Sequence, residues 1–329
     1  MKLNELLDGV DARVGRKLSR QPKVENKTSL DLDVLPVDAD TWHHLDDLVA
    51  VYFDLKSSTN LAKGRTAAST ASIYDAGVGG VVKILDAFDA DFVDIQGDGG
   101  FGLFWGDDRY LKALSAGITI RTFSDAFTKR LTAKWPDAPS TGFKIGIASG
   151  PILVKKVGLP KHLDLQEPVW AGRPVNYAAK AAQQTTPDKI VITGSVWDQI
   201  KSNDYIAFSC GCINGVPDAG YPELLWEDHS IEKIPDEEQY GQALRSGWCE
   251  EHGEAFCTSI LSGATERDDV SLESKRARLV LAEGSTAVRV QARKARRKAS
   301  EDFNLVFREK RNRDVKELLD SILRADNSS

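Results

Sequence analysis

Two aspartates have the residue types and spacing for metal chemistry. Asp54 ends the apolar run "DLVAVYFDL" and is followed by the small, polar "LKSST". Asp98 comes 44 residues later, inside "DFVDIQGDGGFGLFWG", between Gly97 and Gly99. A carboxylate at the end of a buried strand can hold a metal ion while N–H groups of the following turn cradle phosphates. Adjacent strands of one sheet would bring both carboxylates together. Two aspartates without a basic partner suit Mg²⁺, which takes few protein carboxylates and completes its shell with water and substrate phosphate oxygens. In the structural alternative Asp54 caps a helix and Asp98 is a turn former. Spacing alone leaves both readings open.

A second constellation lies near the C-terminal end. Cys249-Glu-Glu-His252 is followed by Cys257, and Cys210-Gly-Cys212 would project both thiols to one face if it were a strand. Together they offer four or five ligands for a structural Zn²⁺. Against zinc, the spacings fit no zinc pattern well and buried cysteines commonly act as small hydrophobes. The sequence therefore favours the hydrophobic role for Cys210, Cys212, Cys249 and Cys257.

The elements that must position these groups are legible in outline. The 329 residues are 41% hydrophobic and 28% charged, enough for a substantial core. Net charge is −6, which argues against a chain-wide nucleic-acid binder, although residues 289–313 alone carry ten Lys/Arg against three Asp/Glu. No apolar run reaches the roughly 18 residues of a membrane span. The N-terminus has no signal-peptide core, so a cytoplasmic protein without membrane insertion is expected. Residues 1–45 read as a helical lead-in and connector. Residues 46–230 alternate strand, helix, strand, strand, helix, strand, including a strand "FKIGIASGPILVKKVG" that folds back on itself. Residues 231–329 carry the Cys/His cluster and a charged helical tail. The order predicts an α+β, ferredoxin-like palm, a mainly antiparallel sheet with helices on one face plus helical extensions at both ends.

Four motifs then stand in order: Asp54-Leu-Lys-Ser-Ser-Thr59, Gly97-Asp98-Gly99, Gly146-Ile-Ala-Ser-Gly150, and Gly172-Arg-Pro-Val-Asn-Tyr-Ala-Ala-Lys180. The set, spanning about residues 46–230, resembles the class III nucleotidyl cyclases. Any one motif is weak and the four in order are specific. The resemblance implies a two-metal-ion cyclisation with Mg²⁺ or Mn²⁺ on Asp54, Asp98 and the Leu55 carbonyl. It implies Asn176 on the ribose and Lys180 on the α-phosphoryl group. It also implies a homodimer, with the metal half from one subunit and Asn176 and Lys180 from the other. The residues around these motifs, Tyr52, Phe53, Lys56, Ser57, Ser58, Thr59 and Gly97, are the expected substrate contacts.

The departures from the family pattern concern the base. Where a purine cyclase carries Lys or Glu, four residues before the hairpin Asp, this chain has Asp94; at a second purine-reading position it has Val169. An Asp/Val pair does not supply the acceptor and donor that adenine needs. A carboxylate at 94 could accept from uracil N3–H or from the cytosine amino group. Tyr52 could narrow the pocket to a single ring, or be an ordinary sheet residue. Lys180 replaces the usual Arg, and the late Lys-Gly that binds triphosphate in the family appears as Asn214-Gly215, leaving Lys56 and Lys144 as replacement candidates. These departures, with "WCEEHGEAFC", resemble the pyrimidine cyclases of the bacterial anti-phage Pycsar system. That resemblance implies a uridylate cyclase acting on UTP, with a downstream effector reached through the cyclic product. The alternatives are a cytidylate cyclase acting on CTP and a degenerate nucleotide-binding module.

Overall fold

The structure is a computed structural model that describes residues 2–278 except 36, 38–39, 160, 188, 213–219 and 236–237. The basic run 289–313 and Asn214-Gly215 lie outside the described residues.

The continuous apolar run around residue 50 becomes the central strand β2 (Thr41–Leu55), with Leu48, Val49, Ala50, Val51 and Phe53 fully buried. Burying a side chain the size of Val51 or Phe53 contributes roughly 1.5–3 kcal/mol. Strand β2 is flanked by two antiparallel neighbours, β4 (Gly99–Phe104) and β5 (Phe143–Gly158). β3 (Phe92–Gln96) extends the sheet beyond β4. Past β5 come β7 (Ile190–Thr193), β9 (Tyr240–Leu244) and β8 (Trp226–Ser230). β1 (Lys23–Lys27) pairs in parallel with the first part of β2, and β6 (Gln166–Gly172) pairs with the second half of β5. The chain is thus α+β with a largely antiparallel sheet; β1 with β2 and β5 with β7 are the parallel pairings among the described residues. The sheet runs past both boundaries expected from sequence. β1 joins it from within residues 1–45 and β9 from beyond residue 230, because each completes the edge of a neighbouring strand.

The helices cover both faces, one more than expected. α3 (Ala67–Ala87) and α4 (Arg109–Lys134) pack on Val49, Val51, Phe53, Leu55, Ile145 and Ile147. α5 (Arg173–Gln183) lies on the opposite face, with Ala178 against Ala50, Ala148 and Ile152. Its inner stripe of Pro174, Ala178, Ala181 and Ala182 follows helical spacing, and its small side chains allow close docking. Gly146 completes that docking, since a Cβ there would lie 2.0 Å from the Ala178 carbonyl oxygen.

A second expectation fails at β5. It is one strand of 16 residues and does not fold back. Gly150-Pro151, a turn signal in isolation, sits opposite a register shift between Leu45 and Leu48 of β2, so the irregularity is a bulge.

Candidate active site

Strand pairing brings the expected residues into two rows on the α5 face. One row reads Gln96, Gly99, Asp54, Lys144; the next reads Asp94, Phe101, Tyr52, Gly146. β3 and β4 are joined by the two-residue turn Gly97-Asp98, with Gly97 at φ 68°, the left-handed conformation that glycine adopts without cost. The hairpin tip is fastened to the end of β2, where the Leu55 N–H donates to the Asp98 carbonyl at 3.3 Å. The two carboxylates are therefore held at adjoining strand ends.

Burial pushes the Asp54 carboxyl above its usual range, the Asp98 charge adds to this, and Lys144 opposes both more weakly. Tyr52 is pushed up for related reasons, burial first and then the charges of Asp54 and Asp98. The expectation that no cation stands beside the pair needs correction at Asp54. Lys144 is 90 residues away in sequence, and the β2–β5 register sets it directly opposite.

The loop after β2 is tightly held. The Lys56 N–H donates to the Gly142 carbonyl at 3.0 Å, and Ser57 adopts φ 62° ahead of the short helix α2 (Ser58–Leu61), which contains Ser58 and Thr59. Lys56 is half-buried and Thr59 exposed. The Phe53 side chain is fully buried on the α3/α4 face, edge-on to Phe143 at 6.1 Å between centroids, so only its backbone borders the site.

Asp94 is half-buried and accepts from Gln96 Nε2 at 3.0 Å. The sequence reading did not single out Gln96; strand alternation, which places residues two apart on one face, was the available signal. Val169 is exposed in β6 and pairs with Lys155, whereas its neighbour Trp170 turns to the opposite face and packs on Phe92 at 5.1 Å. Strand alternation thus gives Phe92 and Trp170, not Val169, the side on which Asp94 lies. On α5, Asn176 is exposed and donates through Nδ2 to the Gly172 carbonyl at 3.0 Å. Lys180, one turn on, has its Nζ 5.9 Å from the Tyr177 ring centroid. Among the described residues no hydrogen bond or ion pair joins Asn176 or Lys180 to Asp54 or Asp98 of the same chain.

A cavity of about 520 Å³ lies elsewhere, lined by Asp47, Tyr110, Ser149, Arg173 and Ser195 among others. Ser149 pairs with Val49, five residues and about 17 Å along β2 from Asp54. Within one chain that cavity is separate from Asp54, and its α5 side is formed by Arg173 and Tyr177, which stand on either side of Asn176 in sequence.

Comparison with known proteins decides the family. The chain is 49% identical over 299 residues to a uridylate cyclase of Micromonospora echinofusca, covering 90% of this chain and 95% of that protein. It is 47% identical over 271 residues to a uridylate cyclase of Propioniciclava tarda, covering 81% of this chain and 86% of that one. The chain belongs to this family of nucleotide cyclases. Among solved structures the cyclase is similar to the adenylyl cyclase CyaB from P. aeruginosa, at 14% identity and a TM-score of 0.48, over 70% of this chain and 99% of that one. No family model matches it. Among its described residues no helix is long and apolar enough to cross a membrane.

The cyclase also gathers four of the five Cys/His candidates named from its sequence. Cys210, Cys212, Cys249 and His252 have their ligand atoms within 4.8 Å of one another. Cys210 is buried in the main core and Cys212, Cys249 and Cys257 pack against it, so these side chains are hydrophobic neighbours as well as a convergent set of ligand-type atoms. Burial pushes the Cys210 thiol up, but N–H groups of Cys249 and Cys212 and their thiols outweigh it, and the net shift is downward. Cys257 stands apart; burial pushes its thiol up, partly offset by the Thr119 hydroxyl.

Proposed function

We propose that this cyclase converts UTP to 3′,5′-cyclic UMP and pyrophosphate, as second-messenger synthesis in bacterial anti-phage defence. The observation that carries the reading is the Asp54/Asp98 pair beside a row containing Asp94 and Tyr52. The kinship to two proteins named uridylate cyclase supports the choice of base.

The donor set fits divalent cations. Two carboxylates meet at strand ends, burial and like charge raise one of them, and Lys144 is the weaker opposing influence. Mg²⁺ or Mn²⁺, two ions per site on Asp54, Asp98 and the Leu55 carbonyl, would supply charge that acidifies the ribose 3′-hydroxyl and offsets the triphosphate. The 3′-oxygen attacks the α-phosphorus in line; the new O–P bond forms as the bond to the β-phosphate oxygen breaks and pyrophosphate leaves. The narrow Gly97-Asp98-Gly99 tip lets the nucleotide approach the strand ends. Lys144 and Lys56 flank the same loop and serve the triphosphate, together with the polar Ser57-Ser58-Thr59 turn.

Asp94, oriented by Gln96, accepts from uracil N3–H, and Tyr52 and Phe101 in the same row limit the pocket to one ring. Val169, which carries no polar group, adds no purine contact. Asn176 of the partner subunit orients the ribose, and Lys180 of the partner subunit stabilises charge on the α-phosphoryl group. The exposure of Asn176, on the side of α5 turned away from its buried stripe, supports a site completed by a second subunit. The product reaches its effector by diffusion, without a stable complex.

The test is incubation of the full chain with ATP, GTP, CTP or UTP and Mn²⁺, with products identified by mass. Cyclic UMP from UTP is expected. Cyclic CMP would favour the second reading, in which Asp94 accepts from the cytosine amino group. Cyclic AMP or cyclic GMP would overturn the role of Asp94, and binding without turnover would mark a degenerate cyclase.

A further inference from the structure

The Cys/His cluster shares no residue with the proposed UTP site, and its geometry is specific. Cys210 Sγ lies 3.6 Å from Cys249 Sγ, which lies 3.6 Å from Cys212 Sγ. His252 Nδ1 is 3.3 Å from Cys212 Sγ and 3.2 Å from Cys249 Sγ. These separations are far from a disulfide, whose S–S bond is about 2.05 Å. They are close to the edges of a metal tetrahedron. Zn–S bonds of about 2.3 Å and a Zn–N bond of about 2.0 Å give S···S edges of about 3.8 Å and S···N edges of about 3.5 Å.

The cluster is positioned by bonds that do not involve its own ligand atoms, together with one cap made by Cys249. Cys210 and Cys212 follow α7 (Asp204–Ala207), in a segment where Arg267 Nη1 donates to the Phe208 and Ser209 carbonyls at 3.2 and 2.8 Å. Gly211, between the two cysteines, sits at φ 74°, and a Cβ there would meet the Gly220 carbonyl oxygen at 2.9 Å. Cys249 caps α8 (Glu250–Leu261), its Sγ accepting from the His252 N–H at 3.4 Å, which sets Cys249 and His252 on one side of the first turn. α8 is anchored by Phe256 and Ile260 in the main core, and the indole N–H of neighbouring Trp248 donates to the Tyr205 carbonyl at 3.1 Å. Two anchored segments thus converge on a point that three sulfurs and one imidazole nitrogen surround.

We infer that Cys210, Cys212, Cys249 and His252 bind one structural Zn²⁺, which ties α8 to the segment after α7. A closed set of four protein ligands, three of them thiolates, is the mark of a structural rather than a catalytic zinc, and a tetrahedral S₃N set selects Zn²⁺ over hard cations. The ion holds the first turn of α8 against the segment after α7. It serves stability and leaves the carboxylate site untouched.

The experiment is elemental analysis of the full-length protein, purified under reducing conditions without chelator from zinc-replete cells, with zinc K-edge X-ray absorption on the same sample. About one zinc per chain with three sulfur and one nitrogen neighbours is expected. Cys249→Ser should lose the metal, while Cys257→Ser, outside the cluster, should keep it. Co²⁺ loaded in place of zinc should give thiolate-to-cobalt charge-transfer absorption. Wild-type protein with less than about a tenth of an equivalent of zinc, or with iron instead, would overturn the assignment. So would a Cys210–Cys249 disulfide in mass spectra of the protein prepared without reductant. Since the wild-type measurement decides alone, a failure of Cys249→Ser to fold does not weaken the test.

Discussion

Two aspartates of this cyclase, one buried and one half-buried, have opposite surroundings. Asp204 is 1% exposed and arrives with its counter-charges: Lys275 Nζ at 2.6 Å, Arg278 Nη1 at 2.7 Å, and the Arg267 N–H at 3.0 Å. Burial pushes its carboxyl up, but Lys275, the Arg267 N–H and Arg278 outweigh that and hold it below the usual range. Asp54 is half-buried, faces a second carboxylate, and stays pushed up, with Lys144 as a partial offset. A carboxylate that serves the fold is neutralised by the fold. Under the proposed function Asp54 serves chemistry, and its raised carboxyl is the counterpart of a cation that would come from solution, a local cost that Asp204 does not carry.

The contrast yields four expected outcomes. The largest effect falls on turnover: Asp98→Ala should lower kcat by about 1,000-fold or more while sedimentation shows an unchanged oligomer. Full activity in that variant would mean the metal site lies elsewhere. Asp204→Ala should instead act on stability, costing about 3–5 kcal/mol in denaturant unfolding because Arg278 is left buried and unpaired. Specific activity of the folded fraction should hardly change. Gln96→Ala, which removes one hydrogen bond to Asp94, should lower kcat/KM for UTP by about 3- to 10-fold without altering metal dependence.

The smallest effect is also the most diagnostic in sign. A carboxyl whose pKa is raised on folding loses stability for the fold as pH climbs from its unfolded pKa through its folded one. Asp54→Asn should therefore raise the melting temperature of metal-free protein at neutral pH by roughly 1–3 °C. The gain should vanish below about pH 3.9, where the wild-type carboxyl is protonated whether folded or unfolded. A variant that melts lower at neutral pH would show that Asp54 is structural, as Asp204 is.

Much of this was legible in the sequence because it is local. A strand-end Asp54, a Gly-Asp-Gly turn and the Gly172–Lys180 motif that opens α5 each declare themselves within a few residues. What register and long-range packing create was not legible. Lys144 opposite Asp54 and Trp170 on the Asp94 side depend on strand alignment. The glycines of α3 look like helix-weakening residues until α4 is present, for a Cβ at Gly80 would fall 2.3 Å from the Phe123 ring. Gly150-Pro151 has the composition of a turn, and only its partner strand makes it a bulge. The Cys/His candidates were visible as two short groups nearly forty residues apart, but which four of the five converge, with Cys257 left out, depends on how α8 docks.

Under the proposed function Asp54 and Asp98, only partly offset by Lys144, together bind divalent cations. The most direct test is the binding of Mn²⁺ by the full chain, followed through the loss of the free-ion paramagnetic signal in the presence of UTP. The account predicts saturable uptake of about two ions per site, with the tighter component abolished in Asp98→Ala. Equal uptake by wild type and Asp98→Ala would contradict it.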